Sequence, residues 1–217
     1  MSEAFDTFNI NIFRVRHFVE IYKKQTKCRN TRGRTSTKET DILRSGVVFL
    51  HAAIEEYLRA VIFNIDMLKF KNGDGSVLRD VSLPLGDERP KRGEKFCVQE
   101  LFAFREQSVE EILEKSIRDR VRFITFNNYQ QICNELASVG VKIDGFADSK
   151  NLDDCIIRRH KIVHEADKNI RNSGKGNYRT SPINTNILQT WIDAEVSFIA
   201  LVEEKIEAIK HDFAEKG

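Results

Sequence analysis

DILRSGVVFLHAAIEEYLRAVIFNIDMLK, residues 41–69, places Ile42, Val47, Val48, Leu50, Ile54, Leu58, Val61, Ile62 and Ile65 on the helical repeat. They spread over two faces of one helix, and a helix that must bury two faces belongs at the centre of a bundle. Working outward, Phe8, Ile12, Val15, Val19 and Tyr22 space a first amphipathic helix over Phe5 to Gln25. Between the two, Lys27 to Lys38 sets Lys27, Arg29, Arg32, Arg34 and Lys38 among Asn, Thr, Ser and Gly, a basic loop that ends where Thr and Asp side chains suit a helix start. Downstream, residues 71–107 hold a Gly- and Pro-rich stretch with two of the three prolines, and read as an irregular insertion. Ser108 to Arg122 is the next helix, capped by Ser108, and Phe123 to Ser138 another. A further helix spans Ser149 to Lys168 with Ser149 or Asn151 as cap, and after a second basic loop, Lys168 to Ser181, a last one runs from Asn184 to Asp212. Strand-like alternation is nearly absent. The expectation is an all-α, up-and-down helical bundle, a single domain over 1–217.

The chain has 217 residues, 41% of them hydrophobic, which suffices for an ordinary core. Its 35 basic and 33 acidic residues nearly cancel, so any attraction for nucleic acid has to come from local clusters. No stretch approaches the roughly 18 apolar residues of a membrane span, and the N-terminus lacks a basic region followed by an apolar run. A cytoplasmic protein without membrane contact is expected. Cys28, Cys97, Cys133 and Cys155 have no zinc-site spacing and read as reduced thiols. Phe5, Phe8, Phe13, Phe18, Phe49, Phe63, Phe198 and Trp191 fall at helical spacing and are expected in the core.

The run Arg158-Arg159-His160-Lys161-Ile162-Val163-His164 sets fixed cations beside two imidazoles. At about 100° per residue, His160 and His164 share a face, and Arg159 stands roughly 140° from His164 with a side chain long enough to swing toward it. Phosphodiester cleavage needs that combination, because one group moves a proton while another holds the charge growing on phosphate oxygens. RNA is the first substrate to consider: its 2′-hydroxyl can attack the adjacent phosphate, so no metal-generated nucleophile is required. The i, i+4 histidines also have a chelating spacing. However, Lys161-Ile162-Val163 lacks the glutamate of an H-E-x-x-H helix and the neighbouring arginines repel a divalent cation, so neither metal nor cofactor is expected. His51 and Glu55, also i, i+4, are candidates for a buried polar pair or for a shell orienting the motif helix. Arg158, Lys161, Arg171, Lys175, Arg179, Arg32 and Arg34 are candidate RNA contacts, with Tyr178 placed to stack on a base.

Two stretches carry a resemblance. Ile157 to Asp167, IRRHKIVHEAD, has the form Arg-x4-His with a polar residue directly after the arginine, and Leu43 to Leu58 is LRSGVVFLHAAIEEYL. Together they resemble the motif helix and second helix of the RiboL-PSP-like branch of the HEPN (higher eukaryotes and prokaryotes nucleotide-binding) superfamily. The resemblance implies a metal-independent endoribonuclease for single-stranded RNA. It would work as a homodimer with its motif helices meeting across the interface, and serve as a toxin or phage-defence effector beside an antitoxin or other defence-system partner. It carries Arg159 and His164 over as catalytic and His160 as the auxiliary polar position. Arg158 offers a competing Arg-x5-His register; Arg159 is preferred because His160 then stands where the pattern expects a polar residue. The alternative is a non-catalytic HEPN-like module that binds RNA or another protein, for which neither Arg159 nor His164 is needed.

Overall fold

The computed structural model of the chain describes residues 2–27, 36–79, 81, 102, 104–169 and 180–216. Their six α-helices are α1 (Glu3–Lys27), α2 (Thr37–Lys71), α3 (Val109–Arg122), α4 (Tyr129–Ser138), α5 (Ser149–Glu165) and α6 (Thr185–Lys216). Among the described residues, extended pairing is limited to the bridge Lys168–Thr180, so the fold is all-α as the periodicity requires. The chain divides into two compact units, Met1–Tyr57 with Phe126–Gly217, and Leu58–Thr125, and α2 supplies residues to both.

The larger unit is built on α1, the first part of α2, α4, α5 and α6. Helix α1 buries Phe8, Ile12, Val15 and Val19, one stripe at 3.6-residue spacing, and packs on α6. The Phe8 ring meets Tyr57 at 5.7 Å, and the Tyr57 hydroxyl donates to Glu203 of α6 at 2.7 Å. Burial holds the Tyr57 phenol far above its usual range, so it remains a donor. Gly46 lets α2 pass close to its neighbours: a Cβ there would come within 2.9 Å of Leu188 on α6 and 3.6 Å of Phe18 on α1. Helix α5 packs on both α4 and α6 through Leu152, Cys155 and Ile156. It is pinned further by Asp153, which accepts the backbone N–H of Tyr129 at 2.6 Å.

The second unit holds the rest of α2, a 3-10 turn at Gly75–Leu78 capped by Asp74, and α3. Ser108 and Glu111 form the reciprocal capping box that starts α3. Buried Asp66 pairs with Arg120, and Arg118 lies 4.2 Å from the centre of the Phe63 ring. Residues 82–101, most of the expected insertion, lie outside the described residues.

Three local expectations are corrected. Helix α4 begins at Tyr129 and not at Phe123, because the Phe123 N–H closes α3 on Arg120 and Val121 while the Asn128 side chain caps α4 on the Gln131 N–H. Phe126 enters the core from the link between them. Neither Ser149 nor Asn151 caps α5: both lie inside the helix, the N-cap is Asp148, and its carboxylate takes the Asn151 side-chain amide instead of a backbone N–H. Phe13 and Phe49 are 63% and 41% exposed. Phe13 stands about 140° from the buried stripe of its helix, so the repeat that buries Phe8 turns Phe13 outward.

Candidate active site

Helix α5 changes character along its length. Its first half is covered by α4 and α6. From Ile157 onward a broad arc is open: Ile157 and Val163 are 52% and 48% exposed, and His160, Lys161 and His164 are exposed beside them. The His160 and His164 rings lie 4.6 Å apart between centroids, tilted by 44°, as the i, i+4 spacing demands. Arg159 is half-buried on the flank of the arc. Among the described residues, no hydrogen bond or ion pair engages Arg159, His160 or His164. One cation and two imidazoles thus lie on adjoining sides of a single helix.

Arg158 is in a different position. It donates through one terminal nitrogen to Asp167 at 2.9 Å, to the Ser181 carbonyl at 2.9 Å and to the Pro182 carbonyl at 3.2 Å. Arg44 of α2 reaches the same Asp167 oxygen at 2.6 Å, and donates also to the Ser181 carbonyl, Thr40 and Asp41. Asp167 is buried, and its backbone stands in the left-handed region at φ 55°, following Ala166 at φ 50°. Such a conformation is uncommon for residues with a Cβ and is held in place by its surroundings. Here the hold is a buried carboxylate between two guanidinium groups. Burial draws the Arg158 pKa down and the Asp167 charge opposes it, which is the balance of an arginine committed to an ion pair. The same point anchors the chain beyond the helix. The Asp167 N–H donates to Lys161 at 3.0 Å, Ser181 donates to the Asp167 carbonyl at 2.9 Å, and Lys168 bridges Thr180.

Two clefts border the motif helix. One of about 440 Å³ lies between α5 and α6 and is lined by Ile157, Arg158, Lys161, Thr190 and Trp191 among others. The other, about 510 Å³, lies between α5 and α2, where Ile162 and Ala166 face Ser45, Val48 and Phe49. Lys161 lines the first of these clefts. His51 is buried with its Nε2 3.4 Å from Glu55, so these two form an internal polar pair of α2, and the His51 Nδ1 is buried without a partner. Arg32, Arg34, Arg171, Lys175, Arg179 and Tyr178 lie outside the described residues.

Sequence reading missed Arg44 and Asp167, although both stood in the quoted stretches. An arginine on an otherwise apolar helix and an aspartate directly after a helix end were the available signals. It also missed Glu195 of α6, which is fully buried and accepts the Cys155 thiol at 3.6 Å. Burial pushes both the Glu195 carboxyl and the Cys155 thiol well above their usual ranges, so both are neutral. Among the described residues, no three His, Cys, Asp or Glu side chains gather as a metal site, and no helix is long and apolar enough to cross a membrane.

A family model, RiboL-PSP-HEPN, matches residues 11–208. No curated protein and no solved structure matches the chain.

Proposed function

The chain belongs to the RiboL-PSP-HEPN family, and from that premise we propose that it is a metal-independent endoribonuclease that cleaves single-stranded RNA through its own 2′-hydroxyl. One observation carries the reading: of two adjacent arginines, Arg158 is bound in a buried ion pair, while Arg159 is unengaged among the described residues and sits on the helix that presents His160 and His164. A structural role accounts for Arg158. It accounts for none of the other three.

In this reading His164 moves the proton at the attacking or departing oxygen, since imidazole with a pKa of about 6.5 serves as acid or base near neutrality. Arg159 holds the phosphorane, its planar guanidinium gripping two oxygens at once. His160, ring to ring with His164, positions substrate or takes the second proton step. One copy offers few groups for a reaction that needs an acid, a base and a cation. The exposed Ile157 and Val163, on either side of the histidines, supply apolar contact for a two-fold pairing of motif helices that would bring two sets together. Lys161 then grips the strand. The activity fits a toxin or phage-defence effector acting on cytoplasmic RNA, with an antitoxin or defence-system protein restraining it.

The test is incubation of the purified protein with total RNA in EDTA, beside the His164→Ala form. Cleavage by the first and not the second is expected. RNA that is bound but left intact by both would replace the enzyme with a binding module.

A further inference from the structure

Helix α1 has a second face that nothing among the described residues covers. Ile10 and Phe13 are each 63% exposed and Ile21 43% exposed, on a helix whose opposite side is fully packed. At about 100° per residue, Glu3, Asp6, Ile10, Phe13, His17, Ile21 and Lys24 fall within about 40° of one line, directly across from the buried stripe of Phe8, Ile12, Val15 and Val19. All seven are exposed. Their steps of three and four residues are those of a helix–helix seam, with apolar residues in the middle, acid at one end and base at the other. An exposed phenylalanine between two exposed isoleucines on one line is more than the scatter of apolar residues any surface carries.

We propose that this face pairs with the α1 of a second copy of the chain, antiparallel about a two-fold axis near the middle of the helix. The order of the residues selects that occupant. In an antiparallel pair Phe13 stands opposite His17, Ile10 opposite Ile21 and Asp6 opposite Lys24, so each apolar layer meets an apolar or aromatic one and acid meets base. A parallel pair would set Asp6 against Asp6 and Lys24 against Lys24. The Phe13 and His17 rings already lie 5.4 Å apart within one copy, so the two-fold axis would gather four rings at the centre. The helix dipoles also oppose one another in this arrangement. The contact is separate from the pairing of motif helices and does not depend on the ribonuclease reading. A chain with both contacts forms assemblies larger than a dimer.

Sedimentation of the full chain over a wide micromolar range tests it. Phe13→Glu, at an exposed site that cannot disturb the core, is expected to halve the largest species. Asp6→Lys alone is expected to weaken association at least severalfold at low salt, and Asp6→Lys with Lys24→Glu to restore it, because the swap rebuilds the same pairs with the signs exchanged. Val163→Glu, which removes the motif-helix contact, should leave a dimer that Phe13→Glu then dissolves. A Phe13→Glu form that sediments as wild type, a charge exchange that fails to restore association, or a wild-type chain that stays monomeric overturns the proposal. If Phe13→Glu acts and Val163→Glu does not, the α1 contact stands and the motif-helix dimer falls.

Discussion

Arg158→Ala and Arg159→Ala should fail in opposite ways. Arg158 makes one charge-assisted hydrogen bond to Asp167 and two to backbone carbonyls, with its side chain 15% exposed. Its removal leaves Asp167 still paired with Arg44, so the loss is that of hydrogen bonds to a charged group, about 1.5–3 kcal/mol, and not that of stranding a buried charge. Asp167→Ala removes the buried carboxylate both guanidinium groups share, leaving Arg44 its pair with Asp41 and Arg158 only backbone carbonyls, and should cost about 3–5 kcal/mol. Arg159 has no partner among the described residues, so Arg159→Ala should stay within about 0.5 kcal/mol of wild type while cleavage falls about 100-fold or more. Urea unfolding followed by circular dichroism measures the first quantity, and single-turnover cleavage of a labelled RNA under conditions where every variant is folded measures the second. The reasoning is refuted if Arg158→Ala unfolds like wild type and is inactive, for then Arg158 acts on substrate and the Arg-x5-His register is the right one.

Cleavage in EDTA should leave 2′,3′-cyclic phosphate ends, detectable by their resistance to phosphatase until acid opens the ring, and Arg159→Lys should restore little activity because an ammonium cannot grip two phosphate oxygens. Val163→Glu should remove the motif-helix contact and weaken cleavage together while the helical circular dichroism is kept; full activity in a variant without that contact would remove it from the mechanism. Glu195 is held protonated by burial, above an ordinary value of 4.5, so the folded chain binds a proton that the unfolded chain releases. Its contribution to stability is complete below that ordinary value and is lost as pH rises, by up to about 1.4 kcal/mol per pH unit. Glu195→Gln should therefore gain on wild type in urea unfolding as pH rises above that ordinary value, and parallel pH profiles would show that Glu195 ionises without penalty.

Most helices were legible because amphipathic periodicity is a local property. The stripe Phe8, Ile12, Val15, Val19 and the two-sided pattern of residues 41–69 fix helices wherever they pack, and Ser108 with Glu111 states a helix start within four residues. The start of α4 was misread because Phe126 supplies an apolar residue in helical phase from a segment that is not helical. Phe13 was misplaced because spacing shows that a residue recurs, not which face meets the core. The candidate site divides along the same line. The histidine pair follows from i, i+4 geometry, whereas the distinction between Arg158 and Arg159 depends on Asp167 in its left-handed turn and on Arg44, 123 residues earlier in the chain. No local pattern announces a contact of that separation.

The ion pair at Asp167 also makes a splice point. The chain leaves at Lys168 and returns at Thr180, already joined by a bridge and by Ser181 on the Asp167 carbonyl, so the ends of the intervening segment are closed before that segment contributes anything. Doubling the length of a closed loop costs only about 0.6 kcal/mol, and here the motif helix is held from the far side of the closure. The end of the motif helix is therefore tied down by contacts among Lys161, Asp167, Lys168, Thr180 and Ser181 themselves, next to the stretch that carries His160 and His164.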